Sequence, residues 1–418
     1  MGDNQFTTFT NCRYCLDGAL VDDHLVISEE TGKIIKRTGY IGGEIVDLEG
    51  NIIAPGLLEL HTNGVNGFHF THFENNHQYE LKLKETAEFY VTQGVTGFWA
   101  TLPTVPPETF QKILPSLAPH AFPSAATLLG AHVEGPYLSP HKPGAHTHTL
   151  FHTPASASDP LAIYGPALSN RTIKLCTLAP ELEASTALIR ALTAHGVVVS
   201  LGHSVASYST GLAALAAGAT GLTHTLNAMA PLESRAPGLA GLLALPDDPT
   251  AAVPAPYYSL IADGQHLAPA TLALLYRAAP HRALLVSDSI ELAGPSLPAG
   301  TYPGHAQIPH PQVKITHDAT GALLPTPKAV LEGAETLVGG CAMLRECVRN
   351  VAAWSGSGIA GAVAAATENV AKFMGVEGAV GSLREGRRAD LCVLNEEGEV
   401  LQTWVAGRKV WEREGGLY

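Results

Sequence analysis

Short runs of hydrophobic residues recur along the middle of the chain, and each run ends in polar residues. Most of the runs are followed by a stretch with the spacing of an amphipathic helix, as in 80–94, 183–196 and 204–218. We predict that the eight runs are β-strands, at 57–60, 96–102, 128–135, 173–181, 197–203, 221–227, 258–263 and 283–289. Near-continuous hydrophobic strands that alternate with helices predict an α/β fold, a (β/α)8 TIM-like barrel.

The two ends of the chain share a different sequence pattern, which predicts short strands joined by tight turns. It runs from Tyr14 to Ile53 and returns from about Leu383. We therefore predict a small β-sandwich domain formed by residues 1–53 plus 383–418, with the catalytic barrel at 54–382. Two irregular segments interrupt the barrel: 139–170, which resembles a functional loop, and 294–325, which suggests a hairpin turning at 318–321.

The composition of the chain argues for a large globular protein and against some classes of partner. The chain has 418 residues, of which 46% are hydrophobic, and this is ample for a large core. Its net charge of −13 argues against a nucleic-acid partner, which would need a basic face. An anionic small substrate would therefore need local positive charges.

Cysteine usage and the absence of targeting signals indicate a cytoplasmic protein. Six scattered cysteines argue against a disulfide framework. Cys12 and Cys15 form a CxxC pair without a second pair at zinc-ribbon spacing, so ordinary thiols on a strand are the favoured explanation. The first residues do not resemble a signal peptide, and no hydrophobic stretch is long enough to span a membrane.

Candidate chemistry lies where the predicted strands end, because barrels of this kind build their active sites there. The strand ends carry His61 and Asn63, Glu134, His203, His224 and Asp288. Glu134, His203 and His224 form the two-histidine, one-carboxylate set of a catalytic zinc with an open position. Asp288 is then suited to act as a general base.

Each of these residues also has an ordinary structural explanation. A lone histidine at a strand end is usually structural, Glu134 could cap a turn, and Asp288 could cap the next helix. We favour the metal site because the residues fall at the same end of different strands.

Other polar residues are less distinctive. His141, His146, His148 and His152 share one loop, and exposure to solvent explains most of them. His266 follows the seventh strand and so lies on the catalytic face. Arg235 lies in the loop after the sixth strand, where it suits a phosphate or carboxylate of the substrate.

The motifs at these positions resemble those of the N-acetylglucosamine-6-phosphate deacetylases, within the amidohydrolase superfamily. The matching motifs, in the family's order, are APGLLELHTNGVNG, GAHVEGPYLSPHKPGAH, LAPE, VSLGHS, THTLNAMAPLESRAPGLAG, IADGQHLAP and LVSDS. The tail 367–395 resembles the return of amidohydrolases to their β domain. The resemblance covers nearly the whole chain.

This resemblance implies that Glu134, His203 and His224 bind one divalent metal ion and that Asp288 is the catalytic acid and base. His146 would contact the sugar and help to polarise the acetamide carbonyl. The positions that match phosphate contacts are Asn227 and Ala228, through their backbone, with Arg235 and His266. Because the family arginine can reach across a dimer interface, a homodimer is implied.

The implied reaction is deacetylation of N-acetyl-D-glucosamine 6-phosphate by a metal-activated water, in amino-sugar catabolism. The chain departs from many amidohydrolases at His61-Thr62-Asn63, where two histidines usually bind a second metal. We therefore expect one divalent ion per chain, with zinc as the favoured metal. The sequence leaves open whether His61 binds a second ion.

Two alternatives remain at this stage. Another amidohydrolase, such as a cyclic amidase or an N-acyl amino-acid deacetylase, usually has both histidines and often a bridging lysine on the fourth strand. A non-catalytic scaffold of the same fold would typically have lost ligands or the aspartate, whereas Glu134, His203, His224 and Asp288 are all present.

Overall fold

A computed structural model describes residues 6–36, 43–154, 159–248, 250–294, 297–304, 312–317 and 326–415. Its centre is a barrel of eight parallel strands in chain order: Leu57–Thr62, Val95–Pro103, Thr127–Glu134, Ile173–Leu178, Val198–Leu201, Gly221–Leu222, Tyr257–Ile261 and Ala283–Val286. Each overlaps a predicted run, so the predicted barrel is confirmed.

The barrel closes between its eighth and first strands, just beyond their ends. The Asp288 N–H donates to the His61 carbonyl at 2.9 Å, and the Asn63 N–H donates to the Ser289 carbonyl at 2.7 Å. These bonds bring the chemistry-bearing ends of the two strands together.

Helices cover the barrel because the hydrophobic strands must be shielded on their outer face too. The helices of the described residues are Asn76–Val91, Pro107–Ile113, Asp159–Tyr164, Pro166–Ser169, Ser185–Ala194, Tyr208–Ala216, Pro269–Ala278, Leu344–Ser355, Gly358–Ala365 and Glu368–Phe373. Short 3-10 turns lie at Leu114–Leu117, His148–Leu150, Leu239–Ala244 and Pro280–Arg282.

Local chemistry explains where the predicted helices start and stop. The Asn75 side chain accepts the Gln78 N–H and so caps the first helix. Gly196 and Gly218 follow the two helices that were predicted to end on them, and their φ angles are +76° and +118°. A residue without a Cβ adopts such angles at little cost.

The chain ends form two sheets. One contains Phe6–Thr10, Leu25–Ser28, Lys33–Ile35 and Glu44–Asp47; the other contains Arg13–Leu16, Ala19–Asp22, Ile52–Pro55, Leu391–Leu394, Val400–Val405 and Arg408–Glu412. Phe9 and Trp404 meet edge to face in a core that both ends supply, with ring centroids 5.0 Å apart. The predicted sandwich is thus confirmed, whereas its limits at 53 and 383 stay a prediction.

Three local features differ from the sequence predictions. Phe6–Thr10 forms a strand before the predicted start at Tyr14, since Thr7 and Thr8 are buried among strand-forming neighbours. Segment 139–170 is a loop only in its first part, because Ile163 and Leu168 are buried on two short helices. The second irregular segment belongs to a larger element.

That element is a four-stranded antiparallel sheet inserted after the eighth barrel strand. Its strands are Gly300–Pro303, Gln312–Thr316, Lys328–Leu331 and Leu337–Gly339. The predicted turn at 318–321 lies outside the described residues. Two further short pairings involve Gly64–Val65 with Phe68–His69, and His120–Ala121 with the third barrel strand. No helix in the described ranges is long and hydrophobic enough to cross a membrane.

Candidate metal centre and active site

A cavity of about 420 Å³ opens at the carboxyl end of the barrel. This volume is in the range of small-molecule sites. The predicted residues that line it are Asn63, Glu134, His146, His203, His224, Asn227, Ala228, His266 and Asp288. Leu337–Gly339 of the inserted sheet and residues 141–146 form its walls. The cavity therefore brings together nearly all of the residues that were chosen from separate strands.

The Glu134 carboxylate lies at the centre of four imidazole rings. Its Oε1 atom is 3.2 Å from His203 Nε2 and 3.0 Å from His224 Nε2. Its Oε2 atom is 3.3 Å from His61 Nε2 and 3.5 Å from His146 Nε2. The group is almost completely buried. A carboxylate in such surroundings is stable only if positive charge or hydrogen-bond donors compensate for its lost hydration.

The other two candidate ligands, His203 and His224, face this carboxylate with unprotonated Nε2 atoms when their rings are neutral. His203 Nδ1 is 2.9 Å from the Lys142 carbonyl oxygen, and His224 Nδ1 is 3.2 Å from that of Asn227. A carbonyl oxygen can only accept, so each Nδ1 carries the proton and each neutral ring turns a lone pair outward at Nε2. These two Nε2 atoms lie 3.1 Å apart.

Three lone pairs thus converge without a proton between them. The ligand atoms of Glu134, His203 and His224 all lie within 4.8 Å of one another. Carbonyl partners on the far ring nitrogens are the usual support for metal-binding histidines. The cluster could therefore hold a divalent metal ion, and the residues fit that group.

Electrostatic interactions within the cluster favour a negatively charged Glu134 beside a positively charged His61. Burial alone would raise the pKa of the Glu134 carboxyl, but the positive charge of His61 and the hydrogen bond from His146 hold it well below its usual range. Burial lowers the pKa of His61, yet the carboxylates of Glu134 and Asp288 outweigh it and raise this pKa to about 9. His146 and His224 have a lowered pKa, mainly through burial. The neutral form that a metal ligand needs is thus favoured at His224.

Asp288 is oriented by its neighbours at the rim of the cluster. Its Oδ1 atom accepts the side-chain N–H of Asn63 at 2.9 Å and lies 3.2 Å from His61 Nε2. Asn63 and His61 come from the first strand, and the main-chain bonds that close the barrel place them opposite Asp288. A carboxylate held in this way beside the candidate ligands can exchange a proton with a group in the cavity.

His146 reaches the cavity from the long loop. The Thr104 N–H points at His146 Nδ1 at 3.4 Å, so this nitrogen is an acceptor and Nε2 carries the proton. His146 is buried, whereas His141, His148 and His152 on the same loop are exposed, in agreement with the sequence analysis. Nε2 of His146 is therefore a donor that this loop presents to the cluster, 3.5 Å from Glu134 Oε2.

The predicted phosphate contacts divide into two groups. Asn227, Ala228 and His266 line the cavity. Arg235 is exposed in the loop after the sixth strand and is not part of the lining. Within one chain, the structure therefore does not bring Arg235 to the other candidate residues.

A polar layer inside the barrel was missed from the sequence. Hydrogen bonds of 3.1, 2.9, 2.8 and 2.6 Å link, in order, Thr101, His132, Thr177, Thr223 and Ser200. The His132 ring packs edge-on against His61, with centroids 4.6 Å apart. A signal existed, because His132 precedes Glu134 by two positions and side chains two apart share one face of a strand.

Backbone strain is concentrated at the site. His203, His224 and Asp288 have φ angles of +48°, +32° and +47°. Such angles are uncommon for residues with a Cβ and cost free energy that the surrounding structure must compensate. They turn three side chains inward immediately after their strands end.

The CxxC pair is buried among the strands of the end sheets. Cys12 and Cys15 are buried free thiols. Burial raises the pKa of Cys12 to about 11 and that of Cys15 to about 12. The interpretation as ordinary strand thiols agrees with this placement.

A two-histidine, one-carboxylate cluster at the carboxyl end of a (β/α)8 barrel is typical of metal-dependent hydrolases of the amidohydrolase class. The Amidohydrolase family model matches residues 334–410. N-acetylglucosamine-6-phosphate deacetylase of Mus musculus is 36% identical over 413 residues, which covers 97% of this chain and 96% of that protein. The enzyme of Homo sapiens is 35% identical with the same coverage. The chain therefore belongs to the N-acetylglucosamine-6-phosphate deacetylase family.

Solved structures agree with this assignment. A mutant N-acetyl-D-glucosamine-6-phosphate deacetylase of Mycobacterium smegmatis, solved in complex with N-acetyl-D-glucosamine-6-phosphate, is 25% identical to this chain. The match has a TM-score of 0.80 and covers 98% of this chain and 100% of that one. The whole architecture, including both end sheets, is thus shared with a member of the family.

The converging lone pairs predict that divalent metal stabilises the protein through Glu134. Addition of zinc to metal-free protein should raise the thermal unfolding temperature, and Glu134→Gln should abolish most of this rise. His152→Gln is the matched control, because His152 is an exposed residue near the site that should not affect binding. An equal rise in all three proteins would rule out the cluster as the metal site.

Proposed function

We propose that this chain removes the acetyl group from N-acetyl-D-glucosamine 6-phosphate. The products are D-glucosamine 6-phosphate and acetate. Membership of the deacetylase family supports the substrate, and the convergence of Glu134, His203 and His224 beside Asp288 is the observation that carries the chemistry. We also propose that this step belongs to amino-sugar catabolism.

Glu134, His203 and His224 would hold one divalent ion per chain. Zinc is the ion we propose, because two histidines and one carboxylate leave an open position in a tetrahedral site. When bound, such an ion supplies the Lewis acidity that activates a water and polarises a carbonyl. Elemental analysis of the purified protein will decide the identity and number of ions, including a second one beside His61.

The proton transfers are assigned to Asp288. Its carboxylate accepts a proton from the attacking water as the new C–O bond forms. It then gives this proton to the sugar nitrogen as the amide C–N bond breaks, so that the amine leaves and acetate remains. Asn63 keeps the carboxylate turned to the cavity through its 2.9 Å hydrogen bond.

His146 stabilises the negative charge that develops on the acetamide oxygen. Its Nδ1 faces the Thr104 N–H, so the Nε2–H is the donor available to that oxygen. A fixed donor aimed at a developing oxyanion lowers the barrier because it need not reorganise during the reaction.

We assign the phosphate to the cavity-lining residues Asn227, Ala228 and His266, where its binding would position the acetamide. Arg235 is exposed, and we propose that it completes the phosphate site of a partner subunit in a homodimer. Six buried free thiols are consistent with the cytoplasm, which is the location we propose.

Acetate release tests the activity. Metal-loaded protein should release acetate from N-acetylglucosamine 6-phosphate, with kcat/KM at least a hundredfold lower for unphosphorylated N-acetylglucosamine. Good turnover of cyclic amides or N-acyl amino acids instead would favour another amidohydrolase activity. Loss of all turnover, together with metal content near zero after metal addition, would favour a non-catalytic scaffold.

Replacement of the assigned acid and base should separate chemistry from metal binding. Asp288→Asn keeps the shape of the side chain but cannot accept a proton, so kcat should fall by about a thousandfold or more. Metal content should stay near that of the wild type, because the three ligands are unchanged. A variant with ordinary kcat would show that another group transfers the proton.

Removal of the exposed arginine should affect binding more than chemistry. Arg235→Ala should raise KM for the phosphorylated sugar by about tenfold or more, through loss of a charged hydrogen bond, with kcat within about threefold. The control is Arg190→Ala, which removes a cation from a helix that is not part of the cavity lining. If KM does not change, Arg235 has no role at the phosphate.

A further inference from the structure

The turn that follows the seventh barrel strand contains a buried carboxylate with no part in the chemistry proposed above. Asp263 is 1% exposed and lies three residues before His266. Its Oδ2 atom accepts the Nδ1–H of His266 at 2.7 Å. Its Oδ1 atom accepts the main-chain N–H groups of Gln265 and His266, each at 2.9 Å. Both carboxylate oxygens are therefore directed at the residue pair that ends this turn.

The same turn is fastened to the base of the inserted sheet. The Thr326 hydroxyl donates to the Asp263 carbonyl oxygen at 2.8 Å, and the Gln265 side chain donates to the Thr326 carbonyl oxygen at 3.2 Å. Thr326 is buried and precedes the strand Lys328–Leu331. The turn is thus held from the barrel side and from the wall of the cavity.

This arrangement determines which nitrogen His266 offers to a ligand. Nδ1 is bound to Asp263 and must carry a proton, because a carboxylate only accepts. His266 lines the cavity, so Nε2 on the opposite side of the ring is the atom that a bound substrate meets. A carboxylate at 2.7 Å also stabilises the positively charged ring, which is the form that attracts an anion.

We propose that Asp263 is a positioning residue that holds His266 oriented and positively charged toward the phosphate of the substrate. This inference rests on the proposed function, since it assigns His266 to the phosphate. Asp263 acts only through His266 and does not touch the substrate. Its effect should therefore appear in binding of the phosphorylated sugar and not in the chemical step.

Asp263→Asn in the metal-loaded protein tests the proposal, because it removes the charge and leaves the volume almost unchanged. KM for N-acetylglucosamine 6-phosphate should rise about tenfold, in line with loss of a charged hydrogen bond, while kcat stays within about twofold. The kcat/KM value for unphosphorylated N-acetylglucosamine should stay within about twofold. Asp390→Asn, which removes another buried carboxylate, one that accepts the Ala406 N–H and pairs with Arg388, is the control and should leave both KM values unchanged.

A double-mutant cycle separates positioning from a general effect on the fold. In a His266→Gln background, Asp263→Asn should change KM by less than about twofold, because the group through which it acts is gone. The same tenfold rise in that background would overturn the proposal. An unchanged KM in the single variant, or an equal loss of kcat on both substrates, would overturn it as well.

Nitrogen NMR of histidine-labelled wild-type protein gives an answer that does not depend on whether Asp263→Asn folds. The His266 signals are assigned by their loss in His266→Gln. Protons on both Nδ1 and Nε2 at the pH of the assay support the proposal, and a bare Nδ1 or a bare Nε2 overturns it. If the wild type deacetylates the phosphorylated sugar but these tests fail, only the role of Asp263 is wrong; if the wild type lacks that activity, the proposed function fails with it.

Discussion

The site depends on one buried carboxylate and on how its charge is balanced. Glu134 lies out of water among His61, His146, His203 and His224, all with Nε2 within 3.5 Å of its oxygens. Two of these rings are bonded through Nδ1 to main-chain carbonyl groups, so in their neutral form they present only lone pairs to the carboxylate. A divalent cation held by Glu134, His203 and His224 would relieve the repulsion among these lone pairs.

The barrel makes this convergence possible. Parallel strands end at the same edge, and bonds from the Asp288 and Asn63 amides join the last strand to the first. Strained backbone at His203, His224 and Asp288 then turns the side chains inward. The hydrogen-bonded hydroxyl layer around His132 packs against His61, so the barrel interior next to the site is polar.

The cavity around the Glu134 cluster is built differently from the cluster itself. Its walls come from the loop around His146 and from Leu337–Gly339 of the inserted sheet, outside the regular barrel. The turn at Asp263 is bonded to Thr326 at the base of that sheet, so it joins the barrel to this wall. Differences in substrate preference among barrels of this class can arise in such walls without any change at the metal.

The sequence by itself determined the eight strands, their order and the residues at their ends. Those features depend on local hydrophobic runs and on a rule of barrel geometry, both visible along the chain. Glu134, His203, His224 and Asp288 were therefore predictable. The strand Phe6–Thr10 was not, because its buried positions are mostly threonine and it needs partners at 25–28 and 44–47 to become a strand.

Tertiary structure alone decided which polar groups meet across the fold. The bond from Asn63 to Asp288 spans 225 positions, and the contact of His146 with Thr104 spans 42. The exposure of Arg235, the layer around His132 and the fastening of Asp263 to Thr326 are also products of packing. A linear pattern records which side a residue faces within its own element. Distances between elements are set only when their shared core closes.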